Sequence, residues 1–250
     1  MIPTVKNYIK RHFFRQEVTE KNSAEAYDLW SENYDSQPGN LMLDLDEILF
    51  PKLLNKAIIQ NKAVADIGCG TGRHWSKISE LKPLSLTGFD VSEGMLSKLG
   101  EKFPDAHTYQ IKDDQLSNIN NASFNTILST LTIAHIENLE QALGAWCRIL
   151  KPDADIIITD FHPQLLAFGG KRTFTHNNEH LAVKNFVHPI FTIKSILNEN
   201  GFRLMDEKEV RIDESVKHYY TEQNALKVYE RFKGFLVIYG IHLRRGNGPE

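Results

Sequence analysis

The segment Asp66-Ile67-Gly68-Cys69-Gly70-Thr71-Gly72 sets three glycines at alternate positions behind an aspartate, at the end of the apolar run "AVADI". Glycines spaced this way let a backbone turn tightly and let a ligand approach it closely. The acid selects the ligand's charge. A carboxylate two residues before the first glycine would repel a pyrophosphate docking on the following helix N-terminus, whereas it would suit a cation. The spacing also departs from the dinucleotide fingerprint: the third glycine comes one residue early, and Arg73 follows it. A second carboxylate, Asp90, ends the next apolar run in "LTGFDVSEGML", 22 residues beyond Gly68. At that distance it suits bidentate hydrogen bonding to ribose hydroxyls, with a helix cap or surface acid as the alternative. The pair points to a nucleoside that carries positive charge and no phosphate.

A second group of residues could serve a reaction partner. His162 directly follows the apolar run "ADIIITD", and an imidazole titrating near neutrality at a strand end is a candidate general base. A structural histidine stiffened by Pro163 competes with that reading. His176 and His180 stand four apart with His188 beyond, a spacing that would hold a metal on a helix. The Gly, Thr and Asn residues around them argue instead for an irregular loop, and no metal is expected. Phe168, Phe174 and Phe186 supply apolar walls for an acceptor-binding insertion at about residues 162–190. Tyr27, Trp30 and Tyr34 recur at helical spacing, either closing over a cationic ligand or anchoring their helix. Tyr219 and Tyr220 either line an acceptor pocket or pack a sheet.

The elements that must position these groups alternate. Short apolar runs, "AVADIG", "LSLTGFD", "FNTILST" and "ADIIITD", are separated by helical stretches expected at about 72–82, 93–102, 138–150 and 192–200. Such alternation predicts crossover units and a parallel sheet covered by helices on both faces. Two further strands, "FRLMDEKEV" and "FKGFLVIYGIHLR", flank a polar helical segment near 221–231. Upstream, residues 2–16 form a basic amphipathic pattern that suits either an anionic membrane surface or a lid. Ser23 is placed to cap the helix carrying the three aromatics, and 44–60 reads as another helix. Residues 1–60 are therefore expected to be a helical cap or lid, and 61–250 a doubly wound α/β domain.

The bulk numbers narrow the partner. With 29 Lys+Arg against 32 Asp+Glu, net charge −3, the chain lacks the basic surplus that tracking phosphates demands, so a small molecule is favoured over nucleic acid. Cys69 and Cys147 have neither disulfide-framework nor zinc spacing and read as reduced thiols, which predicts a cytoplasmic location. No segment approaches eighteen uninterrupted apolar residues, and no stable membrane insertion is expected.

Residues 63–161 resemble the class I, Rossmann-type S-adenosylmethionine (SAM)-dependent methyltransferases. In particular, they resemble the small-molecule branch that includes ubiquinone-biosynthesis and malonyl-carrier-protein enzymes. The resemblance rests on "VADIGCGTG", "GFDVSEGML", "SFNTILSTLTIAHI" and "ALGAWCRILKPDADIIITD", arriving in the family's order, and on "YDLWSENYD", which is similar to that branch's cap. It implies a seven-stranded, mostly parallel sheet ending in an antiparallel strand pair. It implies SAM as cofactor, S-adenosylhomocysteine as product, and a small-molecule acceptor methylated on O, N or C. By position, Asp66, Gly68, Gly70 and Gly72 would frame the methionine end of SAM, Asp90 the ribose and Met95 the adenine. Asp113 or Asp114 would meet the adenine amino group, Ser129 and Thr130 would line the passage to the acceptor, and Tyr34 would reach the donor from the cap. Asn125 and the turn Lys151-Pro152-Asp153-Ala154 depart from the family's S-F-D and K-P-G-G. Two alternatives accompany this reading: a methylation-coupled cyclisation on the same fold, and a non-catalytic SAM-binding protein that meets a partner through its cap.

Overall fold

A computed structural model describes residues 18–36, 40–112 and 115–246. The amphipathic segment 2–16 and both Asp113 and Asp114 lie outside the described residues. Strand β1 (Thr19–Lys21) leads into helix α1 (Ser23–Trp30). Its N-cap is Asn22 rather than Ser23, because the Asn22 side chain accepts the Glu25 amide. The helix expected over 44–60 is two: α2 (Leu41–Leu53), capped by Asn40, and α3 (Lys56–Ile59), capped by Asn55. The break falls at Leu54, whose backbone is extended, and Asn55 can then accept the Ala57 and Ile58 amides.

The alternating region follows: β2 (Ala63–Ile67), α4 (Trp75–Glu80), β3 (Ser85–Asp90), α5 (Glu93–Lys102) and β4 (His107–Gln110). It continues with β5 (Phe124–Thr130), α6 (Leu139–Ile149), β6 (Leu150–Phe161), α7 (Pro163–Ala167), β7 (Thr173–His176) and β8 (Glu179–Val183). The chain ends with α8 (Ile190–Glu199), β9 (Phe202–Arg211), α9 (Lys217–Glu222), α10 (Leu226–Phe232) and β10 (Leu236–Arg245). Strand β2 is buried along its whole length, and so is β6 from Ala154 onward, as strands covered on both faces must be. Helix α6 turns Leu139, Ala142, Leu143, Trp146 and Cys147 toward the core and is capped by Asn138.

Seven strands pair in the order β4-β3-β2-β5-β6-β10-β9. The first five run parallel, and β10 lies antiparallel between β6 and β9. The chain winds outward from β2 to β4 and then returns to lay β5 on the other side of β2. The carboxyl ends of β2 and β5 therefore flank the switch point where open α/β sheets bind ligands.

The expected irregular loop between α7 and α8 instead contains a hairpin. Asn177 and Asn178, with φ of 49° and 65°, make the turn between β7 and β8, since a type I′ hairpin turn needs positive φ at both central positions and asparagine tolerates it. Strand β1 adds in parallel to β8, Thr19 opposite Leu181, giving a three-stranded sheet. The cap and the insertion are thus joined in one hydrophobic cluster that includes Trp30, Tyr34, Phe174, Leu181 and Val183. Among the described residues no helix is long and apolar enough to cross a membrane.

Candidate active site

The glycine loop folds over the end of β3. The amides of Gly68 and Cys69 both donate to the Phe89 carbonyl, 2.7 and 3.1 Å away, and the Gly72 amide closes a turn on the Cys69 carbonyl. Gly68, Gly70 and Gly72 have φ of +74°, +52° and +71°, the left-handed region that L side chains avoid. Their surroundings differ. A Cβ on Gly68 would lie 2.0 Å from Thr132 Oγ1, whereas one on Gly70 would meet nothing within 4 Å among the described residues, chain neighbours aside. Gly68 is fixed by the protein itself; Gly70 keeps its backbone bare toward open space.

That space is a cavity of about 800 Å³, its open mouth included. Asp90 lines it from β3, its two oxygens accepting the Gly70 and Ser92 amides at 2.8 and 2.9 Å. Burial lifts the Asp90 carboxyl to about 6 against those hydrogen bonds. Beyond Asp90, toward the ends of β3 and β4, Met95, Ile111 and Leu116 form an apolar slot suited to a flat base. Met95 is held there because Ser92, the N-cap of α5, accepts its amide. At the β2–β5 end the walls are Gly68, Thr130, Leu131, Thr132 and His135, with Tyr27 and Tyr34 from the cap. The cap is fastened there by Asp28, which accepts from the Ser92 hydroxyl and the Gly94 amide, and by Asp35, which accepts from Thr71.

Among the residues predicted for the site, Gly68, Gly70, Asp90, Met95, Thr130 and Tyr34 line one cavity. Gly72 turns the loop into α4 and faces Leu99 and Phe103. Asp66 sits behind the loop, its carboxylate accepting from the Trp75 indole at 2.8 Å; desolvation raises it to about 7. Ser129 is fully buried and donates to the Ile67 carbonyl, tying β5 to β2.

His162 lies outside the cavity. Pro163 starts α7, so His162 is its N-cap: Nδ1 accepts the Gln164 amide, which leaves the proton on Nε2, donated to Glu209. Both ring nitrogens are engaged, and burial lowers its basicity. His176 and His180 stand on opposite strands of the hairpin rather than on a helix face.

Sequence reasoning missed two groups. His135, just after β5, holds its Nδ1 proton on the Lys184 carbonyl at 3.1 Å, so its Nε2 accepts the Tyr27 hydroxyl at 2.9 Å. Burial, with the charge of Arg172 second, lowers it to about 4 and keeps the ring neutral. Its position after a sheet strand's carboxyl end was the available signal. Arg172, 4% exposed, packs against Tyr27, Trp30, Tyr34 and Phe161, and its Nη2 donates to the Tyr34 hydroxyl at 2.9 Å. Nothing local in "GGKRTF" marks it.

Residues 65–158 match the family described as "Methyltransferase domain". An O-methyltransferase of Pyrenophora dematioidea is 26% identical over 159 residues, covering 59% of this chain and 57% of that protein. The ubiquinone/menaquinone biosynthesis C-methyltransferase UbiE of Campylobacter jejuni is 28% identical over 104 residues, 39% of this chain and 44% of its own. The chain thus spans about half the length of these curated relatives. Among solved structures, the magnesium protoporphyrin IX methyltransferase of Synechocystis with S-adenosylhomocysteine bound superposes with a TM-score of 0.60 at 16% identity, over 90% of this chain and 95% of that one.

Proposed function

We propose that this chain, a class I SAM-dependent methyltransferase, transfers the methyl group of SAM to an O, N or C nucleophile of a small molecule and releases S-adenosylhomocysteine. One observation carries the donor assignment: an unobstructed Gly70 backbone and the Asp90 carboxylate share one cavity with an apolar slot beside them. That set fits SAM. Asp90 would take the ribose hydroxyls, since each of its oxygens keeps a lone pair after accepting one amide. Met95, Ile111 and Leu116 would hold the adenine, and Gly68 to Gly70 with Thr130 the methionine end. When bound, SAM supplies an electrophilic methyl group on a sulfonium.

The protein's own work is to align, to exclude water and to take a proton where the acceptor is neutral. Tyr27 and Tyr34 close the cavity at the end where Arg172 sits, so the cap and the insertion form the acceptor side. His135 replaces His162 as the proton acceptor of this reading. Its tautomer is fixed by Lys184, and its Nε2 is reached through the Tyr27 hydroxyl. The buried, unpaired thiols of Cys69 and Cys147 support a reducing, cytoplasmic setting.

Asp90→Ala tests the donor site. It removes the ribose partner and strands two amides, so SAM affinity is expected to fall about 10- to 100-fold, with a loss of about 1–3 kcal/mol in stability. Calorimetric titration checks the affinity and thermal unfolding the stability, and absence of any wild-type affinity for SAM or S-adenosylhomocysteine would sink the assignment.

Donor binding is also expected to depend on pH. Asp66 at about 7 and Asp90 at about 6 keep protons in the free protein at pH values where ordinary carboxyls have lost them. A bound cation favours their carboxylate forms, so binding expels protons and tightens as pH rises. Affinity should climb by up to about tenfold per pH unit for each proton released and level off once both acids are ionised beforehand. Titrations in buffers of different ionisation enthalpy count those protons; proton uptake on binding would contradict the prediction.

A further inference from the structure

Arg172 is a buried cation with more hydrogen-bond capacity than the described residues use. Its Nη2 donates to Tyr34, but its Nε and Nη1 have no partner among the described residues. The rings of Tyr27, Trp30, Tyr34 and Phe161 surround the guanidinium at 5.0–5.9 Å. Asp160 acts on it only through space, because its oxygens accept the Ala134 and Phe161 amides. A charge so placed is costly to fold around, and native proteins pair such groups. Lys171 and Lys184, the neighbouring cations of the insertion, face Glu20 and Glu137 instead.

Position gives the second observation. Tyr27 and Tyr34 line the donor cavity, whereas Phe161 lines a second cavity with Leu41, Met42, Leu165, Tyr220 and Phe232. Arg172 lines neither cavity itself but packs against rings of both sets, and so lies between them. A single guanidinium with orphaned N–H groups matches a single planar anion, since carboxylate oxygens accept from the fork that arginine presents.

We propose that Arg172 is a carboxylate-binding residue at the boundary of the two cavities. The carboxylate comes either from the acceptor, reached from the second cavity, or from the amino-acid end of the donor. The inference rests on the donor reading above. In either case the incoming charge satisfies the orphaned donors and offsets the Arg172 charge that, second to burial, disfavours protonation of His135.

Calorimetry with S-adenosylhomocysteine and 5′-methylthioadenosine, which has the same nucleoside without the amino acid, separates the sources. Trp30 fluorescence titrated with benzoate and with benzyl alcohol completes the test. If the donor supplies the carboxylate, Arg172→Met weakens S-adenosylhomocysteine about 10- to 100-fold and leaves 5′-methylthioadenosine unchanged. If the acceptor supplies it, both nucleosides bind as before, and benzoate, not the alcohol, quenches the wild type but not the variant. Arg172→Lys, which keeps the charge without the fork, should fall between. Arg172→Met gives up the Tyr34 hydrogen bond and the ring contacts together with a buried, under-partnered charge, so it should unfold near the wild-type temperature. Equal titrations of wild type and Arg172→Met with every probe would overturn the proposal, as would a destabilised variant with unaltered binding. Failure of the wild type to bind either nucleoside would fall on the donor reading instead.

Discussion

Gly70→Val is expected to abolish measurable SAM binding while leaving a folded protein. Among the described residues, chain neighbours aside, no atom lies within 4 Å of the position a Cβ would take, so the new side chain extends into the space proposed for the donor. The folded state bears the strain of a left-handed backbone at φ +52°, about 1–2 kcal/mol. For a chain of this size that is roughly 2–8 °C in Tm. Affinity should drop by more than about 100-fold, because the loop backbone can no longer approach the ligand. Gly68→Ala is the contrasting case. Its methyl group would sit 2.0 Å from Thr132 Oγ1, so the loop and the turn after β5 must part, and stability is lost along with binding. Calorimetry and thermal unfolding on both variants separate the two glycines; equal stability losses would refute the distinction.

Asp46→Ala is expected to cause the largest loss of stability. Asp46, on α2, is fully buried and accepts from Arg73, His74 and Thr159. Those partners hold its carboxyl at about 2 in spite of burial. Removing the acid leaves the Arg73 charge, whose side chain is 17% exposed, with Glu47 as its remaining acidic partner, and leaves Thr159 and His74 without their acceptor. Breaking one side of such a pair costs about 3–5 kcal/mol, or roughly 6–20 °C in Tm. Denaturant titration measures it. Asp46→Asn, which can still accept one hydrogen bond, should recover part of the loss. A shift below about 2 °C for the alanine variant would mean that α2 is held by its apolar face alone.

The sheet was legible because its strands are short, apolar and evenly interrupted, and α5 falls on the predicted residues 93–102. Strand β4 was not legible: "HTYQ" is polar and largely exposed, and it pairs only because it continues the sheet beside β3. The β7–β8 hairpin had a signal, Asn177-Asn178, but composition spoke for a loop. For the candidate site, local spacing singled out the glycine loop and Asp90, and the structure brings Gly68, Gly70 and Asp90 to one cavity. His135 and Arg172 acquire theirs from tertiary neighbours. Arg172 meets Tyr34 across 138 positions of sequence, a distance over which no spacing rule speaks. His162 shows the converse, since its promising position at a strand end is consumed by capping the next helix. Asn125, the departure from the family triplet, accepts the Ala63 amide and so fastens β5 to the start of β2, away from the cavity.

Helix α1 is fastened on two sides, through Asp28 to Ser92 and Gly94 next to the donor cavity and through Trp30 stacked at 4.8 Å on Phe174 of the insertion. Its residues Ser23 and Tyr27, with Tyr34 just beyond, wall the cavity proposed for the donor. Under the proposed function, the two ligands are therefore expected not to exchange independently. Moving α1 aside to admit or discharge the nucleoside also disturbs the insertion, so the kinetics should be sequential, with the spent donor the last to leave and its departure setting the pace of turnover.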